Sequence, residues 1–242
     1  MQSGSIRLFR FAGIEVFLHF SWFFVAIYQL TSRSHGYQSA VFAVYEYLAL
    51  FLIVLLHEFG HAIACRQVGG FADRILLWPF GGVAFVQPPP RPGAQLWSIA
   101  AGPLVNVALI PVLSLVRILT ERSGAAFNAP DFFQLIVMIG WINIWILIFN
   151  LLPIYPLDGG QILRSLLWFP LGRIRSLQIA SVVGLLGGGL IALYGLLSGS
   201  IWVAILAFFL LSQAIAGWRQ AKALRFEEET LIRPEVERPP VL

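Results

Sequence analysis

Six long stretches of apolar residues dominate the chain, at about 14–30, 41–65, 96–119, 132–152, 177–197 and 200–217. A helix needs about 20 apolar residues to cross a bilayer, because each residue advances it by about 1.5 Å. The pattern therefore predicts six spanning helices. Ser198-Gly199-Ser200 leaves room only for a tight turn between the last two. Elsewhere the pattern changes. Residues 5–18 alternate loosely around Gly13 and predict a short hairpin at the membrane surface. Residues 74–86 place strand-forming runs on both sides of Pro79-Phe80-Gly81-Gly82, a strong turn signal. Pro88-Pro89-Pro90-Arg91-Pro92-Gly93 reads as a stiff loop. From 219 onward the chain is charged and carries Glu227-Glu228-Glu229 and Arg238-Pro239-Pro240, so 219–242 is expected to be a largely disordered tail behind a core of residues 1–218. The fold class predicted is an all-α polytopic membrane protein, with about six transmembrane helices and a short membrane-associated β-hairpin.

Composition agrees. Only 12% of the 242 residues are charged and 58% are hydrophobic, whereas a soluble domain carries about 25% charged residues. Too little polar surface exists to cover a water-exposed globule, so the lipid bilayer is the expected partner for most of the surface. The net charge of +4 comes from basic residues spread between spans, which argues against nucleic-acid binding. With the N-terminus inside, Arg33, Arg117 and Arg122 fall outside and the other thirteen of the 16 lysines and arginines fall inside (16 − 3 = 13). By the positive-inside rule both termini are expected in the cytoplasm, most simply at the cell membrane. Arg7 and Arg10 before an apolar run also resemble a signal peptide, but Gln29-Leu30-Thr31-Ser32-Arg33 offers no small-residue cleavage site, so a retained first span is expected. Cys65, the one cysteine, can form no internal disulfide. Gly184 and Gly188 form a G-x-x-x-G that reads as a helix-packing surface.

Against this background one polar cluster stands out. The second span ends in His57-Glu58-Phe59-Gly60-His61. Positions i and i+4 lie one turn apart on one helix face, so the two imidazoles can bind a single zinc ion, and Glu58 beside the first can serve as general base. Three ionisable groups in a spanning segment are costly unless a metal or a partner compensates them. A catalytic zinc also needs a third protein ligand and an open position. Glu46 is eleven residues before His57, roughly 16 Å up the same helix. Asp131 is expected outside, Glu15 and His19 sit in surface-like contexts, and Asp73 in the cytoplasmic loop is a weak rival. Asp158 fits better. It follows Asn150-Leu-Leu-Pro153-Ile-Tyr-Pro156-Leu157 and precedes Gly159-Gly160, a lone carboxylate in an apolar stretch on the expected side of the membrane. Its alternative role is to cap the helix that starts there.

These motifs resemble the site-2 protease family of intramembrane zinc metalloproteases. His57-Glu58-x-x-His61 is similar to its zinc helix, Asn150-x-x-Pro153 followed by Leu157-Asp158-Gly159 to its second motif, and Ala101-Gly102-Pro103-x-x-Asn106 to its third-span motif. The openings Gly13-Ile14-x-Val16-x-x-His19-x-Ser21-Trp22 and Gly81-Gly82-Val83 are also similar. The resemblance implies one zinc per chain held by His57, His61 and Asp158, with Glu58 as catalytic base. It implies a compact member, since neither a PDZ nor a CBS domain fits within these residues. It implies membrane-protein substrates cut within or near a transmembrane segment. Asn150 is a candidate donor to a tetrahedral oxyanion, with an interhelical hydrogen bond as its alternative; for Asn106 the interhelical role is favoured. Cys65, one turn beyond His61, is expected to be a packed small residue. Two other classes stay open: a catalytically inactive zinc-binding scaffold, which would be expected to lose Glu58, and a metal transporter, which would need ligands at several depths.

Overall fold

The computed structural model describes residues 4–33, 36–78 and 81–232. The chain divides into two compact units, Met1–Leu151 and Leu152–Leu242.

The first unit opens with strands β1 (Ser5–Phe11) and β2 (Ile14–His19), turned by Ala12 and Gly13, both at positive φ. Helices α1 (Trp22–Arg33) and α2 (Val41–Gln67) follow. Strands β3 (Phe71–Trp78) and β4 (Gly81–Gln87) come next, then α3 (Pro92–Arg122), the short α4 (Ala125–Asn128) and α5 (Pro130–Leu151). Both expected hairpins form. They also join, because β2 pairs in parallel with β3, giving a sheet in the order β1-β2-β3-β4. The parallel register places Val16 beside Ile75 and Leu18 beside Leu77. Val16, Ile75 and Leu77 are fully buried and belong to one core with Val54, Leu55, Ala62 and Cys65 of α2. Alternation along β3 thus turns one sheet face onto the metal-motif helix. Pro79 and Phe80, expected at the β3–β4 turn, lie outside the described residues.

The expected first span does not form as one long helix. Residues 14–19 are strand β2, and α1 has 12 residues, about 18 Å, too short to cross the roughly 30 Å apolar layer. Among the described residues, five helices are long and apolar enough to cross: α2, α3, α5 and, in the second unit, α6 (Asp158–Ser198) and α7 (Ile201–Ile232). Helix α6 is two helices meeting at Gly172, whose φ of 79° no side chain tolerates cheaply. The expected fifth span is its second part. The Gly184/Gly188 stripe receives α7: a Cβ on Gly188 would lie 3.0 Å from Leu211, and one on Gly184 would lie 3.2 Å from Ala214. Helix α7 does not stop at 218, where the tail was expected, but continues to Ile232. Residues 219–232 hold no proline and are rich in Ala, Leu, Glu, Lys and Arg, which favour helix. Residues 233–242 lie outside the described ones.

At the end of α2 away from His57, Glu46 is 3% exposed and accepts four hydrogen bonds. They come from Arg33 (2.9 and 3.3 Å), Gln29 (2.9 Å) and the Tyr37 hydroxyl (2.5 Å). Burial and the bond to Glu46 push the Tyr37 phenol pKa up, and the same carboxylate raises that of Arg33. Nearby, Asp131 at the start of α5 accepts from the backbone N–H groups of Gln38 and Ser39 at 2.9 and 2.8 Å. These bonds tie α1, the loop before α2 and α5 together without any metal. Glu46→Leu strands three donors and should lower folding stability by about 2–4 kcal/mol, and Tyr37→Phe by about 1 kcal/mol. Thermal unfolding of the purified protein in detergent checks this; metal content should not change in either variant.

Candidate metal centre

His57, Glu58 and His61 lie in the C-terminal half of α2, all buried, at 3%, 5% and 5% exposure. One ligand atom from each falls within 4.8 Å of the others, so the structure brings these three expected residues into one group. Helix α3 packs across them. At the crossing, Gly60 faces Ala101, and a Cβ on Gly60 would sit 2.7 Å from the Ala101 carbonyl oxygen. Gly102 faces the imidazoles. A Cβ there would collide with His61 Nε2 and come within 2.8 Å of His57 Nε2. The space in front of both rings exists because this position has no side chain.

The other nitrogen of each ring is held from behind. His61 Nδ1 lies 2.9 Å from the Ser98 carbonyl oxygen, and His57 Nδ1 lies 2.6 Å from Asn106 Oδ1. A carbonyl oxygen only accepts, so each Nδ1 carries the proton and each neutral ring presents a lone pair at Nε2. The two Nε2 atoms are 3.1 Å apart. Two nitrogens bound at about 2.0–2.1 Å to a tetrahedral zinc lie roughly 3.4 Å from each other, so the donor set fits that ion closely. Such support behind ligating histidines fixes their orientation.

The rival third ligands in the first unit all have other partners. Glu46 and Asp131 are engaged as described. Glu15 pairs with Arg7 at 3.2 Å, Asp73 lies beside Arg74 at 3.9 Å, and His19 Nδ1 hydrogen-bonds the Ser21 hydroxyl. Cys65 Sγ points to the Phe71 carbonyl at 3.5 Å, the contact of a packed thiol. Asp158 is the first residue of α6 and half-buried. The turn before it is built within the second unit: Leu157 N–H donates to the Ile154 carbonyl at 2.8 Å, Gln161 Nε2 donates to that of Pro156 at 2.9 Å, and Tyr155 lies against Gly184 and Gly217. Asn150 is half-buried in the last turn of α5, with no side-chain hydrogen bond among the described residues. It is seven residues beyond Asn143, two helical turns, and so lies on the same face of α5.

Asn143 is the residue that sequence reasoning missed. It is fully buried and bonded to Asn106. Its signal was available: an amide in the middle of an otherwise apolar span needs a partner.

Two histidines and a glutamate brought together at a helix crossing, within a set of apolar helices, define a candidate metal site in a membrane protein. Residues 45–123 and 111–194 match peptidase family M50, and the chain belongs to that family. It is 33% identical over 207 residues to a zinc metalloprotease of Methanocaldococcus jannaschii, covering 85% of this chain and 58% of that protein. It is 31% identical to a putative zinc metalloprotease of Synechocystis, covering 91% of this chain and 62% of the relative. The chain thus spans about three fifths of the length of these curated relatives. The solved structure of a site-2 protease from Methanocaldococcus jannaschii superposes with a TM-score of 0.63 at 31% identity, covering 88% of this chain and 95% of that one. With five long apolar helices among its described residues, the chain is an integral membrane protein.

Gly102→Ala should fill the space before the rings and cut bound zinc at least tenfold. Gly140→Ala, where a Cβ would meet nothing within 4 Å, should leave it unchanged. Metal analysis of the two purified variants checks this.

Proposed function

We propose that this chain is a zinc-dependent endopeptidase that cuts membrane proteins within or near a transmembrane segment. The observation that carries the proposal is the pair of Nε2 lone pairs 3.1 Å apart, aimed into a space kept open by Gly102, with Glu58 beside them. The names of the two curated relatives support it. His57, His61 and Asp158 would hold the zinc. Asp158 is favoured because Leu157-Asp158-Gly159 matches the second motif that the resemblance ties to the zinc. When bound, zinc supplies a Lewis acid that polarises a carbonyl and brings the acidity of water near neutrality. Glu58 is buried next in sequence to a ligand, and takes a proton from the attacking water and returns it to the leaving amine nitrogen. Asn150, on the Asn143 face of α5, would donate to the oxyanion, a contact worth about 3–4 kcal/mol in comparable sites.

Mass spectrometry of membrane fragments that vanish when Glu58 is changed tests the function. Glu58→Gln should keep about one zinc per chain and retain less than about 1% of wild-type cleavage. Asp158→Asn should lose both. Full zinc in Asp158→Asn with loss in Asp73→Asn would reassign the third ligand.

The substrate's amides are shielded while it stays helical, so it must be unwound and held extended. Strand β4 is an edge of the sheet and packs on α2, which supports backbone pairing with the unwound segment. Phe85→Pro should then reduce cleavage strongly and Phe85→Ala much less, with zinc retained in both. Equal losses would assign Phe85 to side-chain packing.

The distribution of basic residues supports a cell-membrane protein with both termini in the cytoplasm; this needs an even number of crossings, and β2 with α1 supplies the extra one, running from beside β3 to Arg33 at the Glu46 end of α2. With that orientation, reporters fused at Leu242 and within 121–130 report opposite sides. The same side for both would overturn it.

A further inference from the structure

Behind His57 the hydrogen bonds do not stop at Asn106. Asn106 Nδ2 donates to Asn143 Oδ1 at 2.8 Å, and Asn143 Nδ2 donates to the Asn106 backbone carbonyl at 3.0 Å. Both asparagines are fully buried, one on α3 and one on α5. An amide side chain taken alone can face either way, because its oxygen and nitrogen are nearly the same shape. This chain of bonds cannot. Its last member is a backbone carbonyl, which only accepts. That end requires Asn143 to present its NH₂ group there, which turns Asn143 Oδ1 toward Asn106. Asn106 must then offer Nδ2 to Asn143 and Oδ1 to His57. His57 Nδ1 must therefore carry the proton, leaving Nε2 as the lone pair.

We propose that Asn143 is a positioning residue of the metal centre: through Asn106 it fixes the His57 tautomer whose Nε2 can bind a metal. The proposal rests on the zinc-protease reading for its purpose, but the tautomer is a property of the metal-free protein. Without the Asn143 oxygen, Asn106 can flip and present its NH₂ group to His57. The ring then accepts at Nδ1 and carries its proton at Nε2, where it cannot ligate. The membrane setting sharpens the effect, because no bulk water is present to satisfy a wrongly turned amide. His61 needs no such device, since the backbone carbonyl of Ser98 already faces it.

Two substitutions separate positioning from packing. Asn143→Leu keeps the volume and removes the acceptor. Asn143→Asp keeps an acceptor oxygen toward Asn106 Nδ2. Histidine ring ¹⁵N spectra of the purified, metal-free full chain read the tautomer, with only four histidines to assign. Zinc affinity is read by chelator competition. The wild type and Asn143→Asp should show a protonated Nδ1 on His57 and affinities within about threefold of each other. Asn143→Leu should mix the tautomers and bind zinc about 10–100-fold more weakly, the usual loss when a partner behind a ligand is removed. If Asn143→Leu does not fold, Asn143→Ser, whose hydroxyl stops short of Asn106, replaces it with the same expectation. A wild-type tautomer and affinity in the leucine (or serine) variant overturns the proposal. So does an equal loss in the leucine and aspartate variants, which would make Asn143 a packing residue. Failure of the wild type to bind zinc would remove the protease reading, and the metal-free spectra would still decide the role of Asn143.

Discussion

Inside a bilayer a polar group must find its partner within the protein, and the metal centre is built around that constraint. Each site histidine has two ring nitrogens, and one of them must be satisfied before the other is useful as a ligand. The Ser98 carbonyl and the Asn106 side chain do this from α3. Both acceptors reach the rings only because α2 and α3 approach closely at Gly60 and Gly102. A methyl group at either glycine would separate the helices or fill the ligand space. Small residues at a membrane helix crossing are usually read as packing devices. Here the same smallness also sets the chemistry, since the distance between helices decides whether a carbonyl can orient an imidazole.

The sheet extends this logic to the outer side of α2. Helix α2 is polar where it carries the metal motif, so its other face needs apolar cover. The parallel pairing of β2 with β3 supplies it with Val16, Ile75 and Leu77. Arg66 closes the join, donating to the carbonyls of Ala12, Gly13 and Ala72. One arginine thus satisfies the loose ends of both hairpins at the end of the metal helix. Far along the same helix, Glu46 plays the corresponding part for α1. The motif helix is fastened at both ends by charged groups whose partners are already in place, and the metal is not needed to hold it.

Much of this was legible in the sequence and some was not, for definite reasons. Local signals worked: Gly13 and the Pro79–Gly82 run marked the hairpins, and the i, i+4 histidines marked the metal helix. The β2–β3 pairing joins residues almost sixty positions apart, and no local pattern announces it. The first span is not a single helix, and the sequence did not show it because residues 14–30 are mostly apolar, which hides the change from strand to helix. The one internal clue was His19-Phe20-Ser21. His19 bonds the Ser21 side chain and the Ser21 carbonyl accepts from the Phe24 and Val25 N–H groups of the first helical turn, so these two polar residues mark the corner. The tail was expected from its charge, yet prolines begin only at Pro234, and the charged stretch before them is well suited to helix.

The site divides in the same way. His57, Glu58 and His61 were legible because a helix fixes their relation at short range. Asn106 was legible as a polar residue needing a partner, but not as the residue behind His57. That requires knowing which helix crosses which, and at what height. Asn143 went one step further from view, since it touches neither the metal space nor a histidine. A single amide in an apolar span says only that something must satisfy it. Two such amides on different spans, together with a histidine pair, say more. In a medium without water, buried polar groups of this kind have few partners besides one another. Pairing them by elimination joins α3 to α5 at the level of the metal helix, and the hydrogen bonds between Asn106 and Asn143 are that join.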